Sequence, residues 1–192
     1  MKTIGLVGES HNDKTAIANL LGQKFSKHVS FKPLLKKFKG AGLNNEDLKR
    51  LLKSELEADP LDNVIFIKDT DCMPSETAKI KEVEKWFAKL NKLSGNIGVL
   101  LKNIYELEAL IFADIETFNR LYKTTIKDDK NVHFIKEPKE LLKEKTRKGK
   151  KQYKESDCPV LFTQLRYDIV KANSTLFRDF EKEFCKAAKV SV

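Results

Sequence analysis

The sequence predicts an α/β fold: a mostly parallel sheet flanked by helices, with a helical C-terminal extension. Three observations carry this. Strand-like and helix-like stretches alternate four times before residue 125, the order that right-handed crossovers turn into a parallel sheet. The stretch Asn63-Val-Ile-Phe-Ile-Lys-Asp-Thr-Asp71 holds four consecutive apolar residues between turn signals at Asp59-Pro60 and Met73-Pro74. Such a run is a strand buried on both faces. Beyond residue 138 the apolar residues recur at helical spacing, so those faces have to dock on something.

In order, Lys2 to Val7 is the first strand and Gly8 to Asp13 the turn after it. A helix then carries Ala16, Ile17, Leu20 and Leu21, capped by Asn12 or Asp13. Val29 to Leu35 forms a second strand, with Pro33 marking an edge position. Gly40-Ala41-Gly42 breaks the chain, and Asn44 to Asp47 opens a helix with Leu48, Leu51, Leu52 and Leu56 on one stripe. The strand at 63–69 follows. Ser75 starts a helix with Ile80, Val83, Trp86, Phe87 and Leu90 inward, ended by Gly95. Ile97 to Lys102 is the fourth strand, and an apolar helix from Ala109 continues towards Tyr122. Residues 127–131 read as a loop, followed by a helix near 138–146. Two further helices carry Val160, Leu161, Leu165 and Ile169, then Leu176, Phe177, Phe180 and Phe184. The division expected is 1–125 for the sheet domain and 126–192 for the basic loop and helical extension.

With 192 residues the chain can bury a sizeable core. No apolar run approaches the ~20 residues that span a bilayer, which predicts no membrane association. The opening residues enter a strand directly, which predicts no signal peptide. Three unpaired cysteines, Cys72, Cys158 and Cys185, point to reduced thiols and a cytoplasmic protein. The net charge of +9 is concentrated: residues 136–154 hold nine Lys or Arg against three Glu. Such a block binds polyanions or forms a solvated face. Lys148, Lys150, Lys151 and Lys154 are its nucleic-acid-binding candidates.

Three acidic pairs follow three strands: Glu9 and Asp13, Asp69 and Asp71, Glu106 and Glu108. Taken singly, each also serves as a turn or a solvated helix start. Together they converge beyond the carboxyl ends of one parallel sheet, where such folds bind ligands. Clustered carboxylates repel one another unless a cation sits among them. Oxygen ligands without histidine or cysteine suit Mg²⁺ or Mn²⁺, and two such ions serve phosphodiester chemistry.

These residues resemble a known family. Gly8-Glu9 after the first strand, Asp13 four residues on, Asp69-Thr-Asp71 and the acids at 106 and 108 are similar to a Toprim domain, a Rossmann-like sheet. The spacing is nearest to the "overcoming lysogenization defect" nucleases. Ile104-Tyr-Glu-Leu-Glu-Ala-Leu-Ile-Phe-Ala-Asp114, Pro138-Lys139 and Gly149-Lys-Lys-Gln-Tyr-Lys154 are similar to bacterial Toprim-like proteins found beside ABC-type ATPases in anti-phage loci. The resemblance implies a metal-dependent nuclease, the effector of an ATPase-linked defence system. Glu9, Asp69 and Asp71 would be catalytic. Glu9, Asp13, Asp69, Asp71, Glu106 and Glu108 would ligate two Mg²⁺ or Mn²⁺ ions, with Glu9 as general base or shared ligand. The chain lacks a Walker A motif, so ATP dependence would come from a partner. A homodimer is possible on this basis.

Two alternatives remain: a non-catalytic subunit that binds nucleic acid or an ATPase, and an aspartate-nucleophile phosphatase using Asp69-Thr-Asp71. The phosphatase ranks last because its nucleophilic strand would open the fold. Tyr105 is expected to pack, His11 to lie in a polar loop, and His28 and His133 to be unassigned. Trp86 belongs to the core. Asp114 either reaches the site or ends a helical turn. Strand alternation points Lys68 away from Asp69 and removes it from the catalytic set.

Overall fold

A computed structural model describes residues 1–35, 46–127 and 131–190. Four strands, β1 (Lys2–Val7), β2 (Val29–Pro33), β3 (Asn63–Asp69) and β4 (Gly98–Asn103), form one all-parallel sheet in the order β2-β1-β3-β4. This is the α/β, Rossmann-like arrangement the alternation predicts. β2 ends at Pro33, two residues earlier than its apolar run suggests, and it is an edge strand, where a missing N–H costs no ladder bond. β3 is interior, registered on β1 from Ile4↔Asn63 and on β4 through Asp69↔Asn103. Residues 40–42, 44 and 45 lie outside the described residues, as do 128–130.

The helices cover both faces. Val64 and Phe66 of β3 point to one side, where α2 (Glu46–Ala58) brings Leu48 and Leu52 and α3 (Thr77–Leu93) brings Trp86 and Leu90. Ile65 and Ile67 point to the other, against Ile17, Leu20 and Leu21 of α1 (His11–Phe25). Period-two alternation thus feeds two cores from one strand. The larger core also contains the tail: α6 (Pro138–Thr146), α7 (Cys158–Gln164), α8 (Tyr167–Asn173) and α9 (Thr175–Ala188). Phe25 meets Phe184 edge to face with centroids 5.3 Å apart, tying α1 to α9. The extension therefore completes the sheet's core. Val160 departs from expectation: it is 68% exposed, because α7 turns Leu161 and Phe162 inward instead.

Two local expectations are corrected. The cap of α1 is Ser10, not Asn12 or Asp13. Its Oγ accepts from the Asp13 N–H (3.0 Å) while Asp13 Oδ2 accepts from the Ser10 N–H (3.1 Å), a reciprocal capping box. The apolar helix after Glu108 does not run unbroken to Tyr122 but divides at Asp114 into α4 (Ala109–Ala113) and α5 (Ile115–Tyr122). The break serves Arg166: Asp114 accepts from its backbone N–H (2.8 Å) and from its guanidinium. Asp114 is thus a structural anchor for α8, not a site residue. Asp114→Ala leaves the Arg166 backbone N–H without its acceptor and the half-exposed guanidinium with Glu116 alone, and urea unfolding is expected to show a loss of about 2–4 kcal/mol. A loss under about 0.5 kcal/mol, the range of ordinary surface changes, would refute the anchoring role.

Candidate functional site

The acids lie at the carboxyl ends of β1, β3 and β4, three adjacent strands. β1 delivers Glu9 immediately before the Ser10 cap, and the capping box fixes Asp13 on the first turn of α1. β3 ends on Asp69, whose Oδ1 accepts from Asn103 Nδ2 (3.0 Å), its register partner on β4. The chain then passes through Ile104 and Tyr105 to Glu106 and Glu108.

Three of the six predicted acids act on a fourth, Asp69. Burial pushes the Asp69 carboxyl well above its usual range, and the charges of Asp13, Glu108 and Glu9 push it further, against the Asn103 hydrogen bond. Glu108 is 5% exposed and accepts from the Tyr153 hydroxyl (3.1 Å). Burial pushes it up to about 7; Lys139 opposes that rise and Glu106 adds to it. Cys158 marks the same spot from the tail. Burial raises its thiol, and the charges of Glu108, Asp13 and Asp69 all raise it further. The charges of Asp13, Glu108 and Glu9 thus converge on Asp69, with the Cys158 thiol feeling three of these four acids and Tyr153 bonded to Glu108.

The remaining two stand apart. Asp71 leaves the strand in a left-handed conformation (φ 49°), its N–H donating to the Tyr105 carbonyl (3.1 Å), itself at φ 60°. Strand alternation ends at Thr70, so the Asp71 side chain is exposed rather than aligned with Asp69. Glu106 is neutralised from the basic tail: Lys139 donates to it through its backbone N–H (3.1 Å) and pairs through Nζ (3.1 Å). Glu106 thereby caps the first turn of α6.

Three placements differ from the sequence reading. Lys68 does point away from Asp69, but it pairs with Glu9 from the neighbouring strand, so it is a local counter-ion of the cluster. The side of Gly8, which the sequence leaves bare, is filled by the protein itself: a Cβ there would meet Lys14 Cγ at 3.3 Å and Ile67 Cβ at 3.4 Å. Lys14 is itself buried, donating from Nζ to the Leu34 carbonyl (2.8 Å). Lys139, Tyr153 and Cys158 were missed because they come from the tail. No spacing rule links residues so far apart to the strand ends. Of the basic candidates, Lys151 sits over the Tyr122 ring at 4.3 Å, Lys148 faces a separate cleft, and Lys150 and Lys154 are exposed.

The donor set is chemically suited to a hard divalent cation, which would relieve the repulsion focused on Asp69. Among the described residues, no three His, Cys, Asp or Glu side chains are gathered closely enough to hold an ion as they stand. Water, substrate oxygens or a shift of Glu9 out of its Lys68 contact would have to complete the shell. No family model, curated protein or solved structure matches the chain.

Proposed function

We propose that this chain is a Toprim-type, Mg²⁺- or Mn²⁺-dependent hydrolase of phosphodiester bonds in DNA or RNA. The proposal rests on one observation: Asp69 is crowded by Asp13, Glu108 and Glu9, acids delivered from three adjacent strand ends. Asp69, Asp13 and Glu9 would hold the ion, which would supply Lewis acidity to the phosphodiester and its attacking water. Asn103 orients Asp69, and Lys68 orients Glu9. Glu108, poised at about 7, is suited to exchanging a proton near neutrality, with Tyr153 holding its Oε1. A second ion would draw on Asp71 and Glu106, and Lys139 would first have to release Glu106. Lys148, Lys150, Lys151 and Lys154 remain the candidates for holding nucleic acid. The ABC-type ATPase partner, the anti-phage setting and a homodimer rest on the resemblance alone.

A second reading is a non-catalytic Toprim-like subunit that binds nucleic acid or an ATPase. It is favoured by the lysines already neutralising Glu9 and Glu106 and by the incomplete ligand shell among the described residues. End-labelled DNA and RNA incubated with Mg²⁺ or Mn²⁺ separate the two. Metal-dependent cleavage of either, abolished by a chelator, is the expected result; salt-sensitive binding without turnover would support the binding subunit instead.

A further inference from the structure

We propose that a second site lies across α6 from the carboxylates: a basic cleft that binds the phosphates of a nucleotide while its base rests on an apolar floor. The cleft measures about 910 Å³, within the range of clefts that enclose small ligands. None of the six acids lines it. Helix α6 separates the two places. Lys139 and Lys143 lie on one side and pair with Glu106, Glu140 and Glu155. Leu141 and Lys145 lie roughly half a turn round the helix and face the cleft.

Five cations surround it: Lys123, Lys127, Lys136, Lys145 and Lys148, all exposed. Among the described residues no carboxylate lines the cleft, and the one ion pair of these lysines is Lys136 with Glu137, at 3.7 Å and solvated. Like charges gathered in one concavity with so little compensation among the described residues favour a ligand carrying several negative charges. Beneath them Phe112, Ile126, Ile135 and Leu141 form an apolar floor. Inorganic phosphate would leave that floor wet, and a fatty acid would meet only one of the five charges. A nucleotide uses both halves.

The walls are preformed. Asn119 pins the segment after α5: its Nδ2 donates to the Ile126 carbonyl (2.7 Å), and its Oδ1 accepts from the Ile126 N–H (3.0 Å) and the Thr124 hydroxyl (2.7 Å). Lys123, which lines the cleft, holds a left-handed turn at φ 55° as the C-cap of α5. Non-glycine residues keep such angles where surrounding contacts fix them, often at ligand clamps.

Calorimetric titrations of the full chain in a chelator keep the carboxylate centre out of the measurement. The probes are ATP, a single-stranded octathymidylate and inorganic pyrophosphate. ATP or the oligonucleotide is expected to saturate one site, with pyrophosphate weaker by about tenfold or more. Lys123→Gln/Lys145→Gln should weaken that binding by about tenfold, while Lys81→Gln/Lys85→Gln, on α3 and outside the cleft, changes it less than about twofold. Tighter ATP marks a free nucleotide as the occupant, and a tighter oligonucleotide marks a strand. Three results would overturn the site: no saturable binding of either nucleotide probe, pyrophosphate binding as tightly as both, or equal loss in the two double variants. Each of these leaves metal-dependent cleavage at Asp69 to be judged separately.

Discussion

Asp69→Asn is expected to abolish Mn²⁺-supported cleavage while raising the melting temperature of the metal-free protein. The two effects have one cause. Burial, then the charges of Asp13, Glu108 and Glu9, lift the Asp69 carboxyl above its ordinary value. The folded chain therefore binds that proton more tightly than the unfolded chain does. Stability from this group is present at low pH and is lost as pH rises through the raised value, so above the ordinary aspartate range the folded state holds this group less favourably than the unfolded chain does. Asparagine removes that opposition and keeps an oxygen for Asn103 Nδ2 to donate to. A gain on the order of 1 kcal/mol moves the melting temperature of a chain this size by about 2–4 °C. The same carboxylate is the centre of the proposed metal shell, so Mn²⁺ should raise the wild-type melting temperature and leave the variant unmoved. Retained cleavage by the variant would remove Asp69 from the centre. A drop in metal-free stability would mean that the carboxylate is held by a favourable contact instead.

The fold was legible because its signals are local. The Val64–Ile67 run marked the interior strand, Pro33 marked the edge, and the apolar stripes marked the helices. The misreadings arose where a distant residue decided the outcome. Asp114 follows an apolar helical run that resumes after it, and its contact with Arg166, 52 residues on, is made where that helix divides. Val160 fits an apolar stripe, but the position of α7 against α1 left Leu161 and Phe162 to fill the core. Ser10 was passed over as a cap because Asn12 and Asp13 offered the same chemistry two or three residues later.

The candidate site was legible to the same depth. Glu9, Asp13, Asp69 and Glu108 could be found because each follows a strand, and sheet topology brings strand ends together. Asp71 could not be placed correctly: its distance from Asp69 depends on whether the backbone stays extended, and it turns left-handed at Asp71. The counter-ions were hidden altogether. Lys139 belongs to a lysine-rich block that by composition looks solvated, yet it crosses to Glu106, and Lys68 reaches across the sheet to Glu9. Charge counted along the chain says which side chains carry it, and only tertiary structure says which of those charges cancel.

Glu108→Gln is expected to flatten the decline in stability that the wild type suffers between about pH 5 and pH 8. Glu108 is pushed from an ordinary 4.5 up to about 7, by burial first, with Lys139 opposing and Glu106 adding to the rise. Folding thus favours the protonated acid. Its contribution is fully present below about pH 4.5, where both states are protonated, and disappears as pH climbs through about 7 and the buried carboxyl must ionise. At about 1.4 kcal/mol per unit, the difference between the two pH limits is on the order of 3 kcal/mol. Glutamine imitates the protonated form, and its carbonyl oxygen still accepts from the Tyr153 hydroxyl. Urea unfolding should therefore find the two proteins close together at pH 5 and the variant more stable by about 2–3 kcal/mol at pH 8. If Glu108 also moves the proton in phosphodiester cleavage, the same substitution lowers turnover by about 10²–10⁴ without weakening nucleic-acid binding. Parallel pH profiles for the two proteins would show that Glu108 is already ionised in the folded state, and would remove it as the proton-exchanging group.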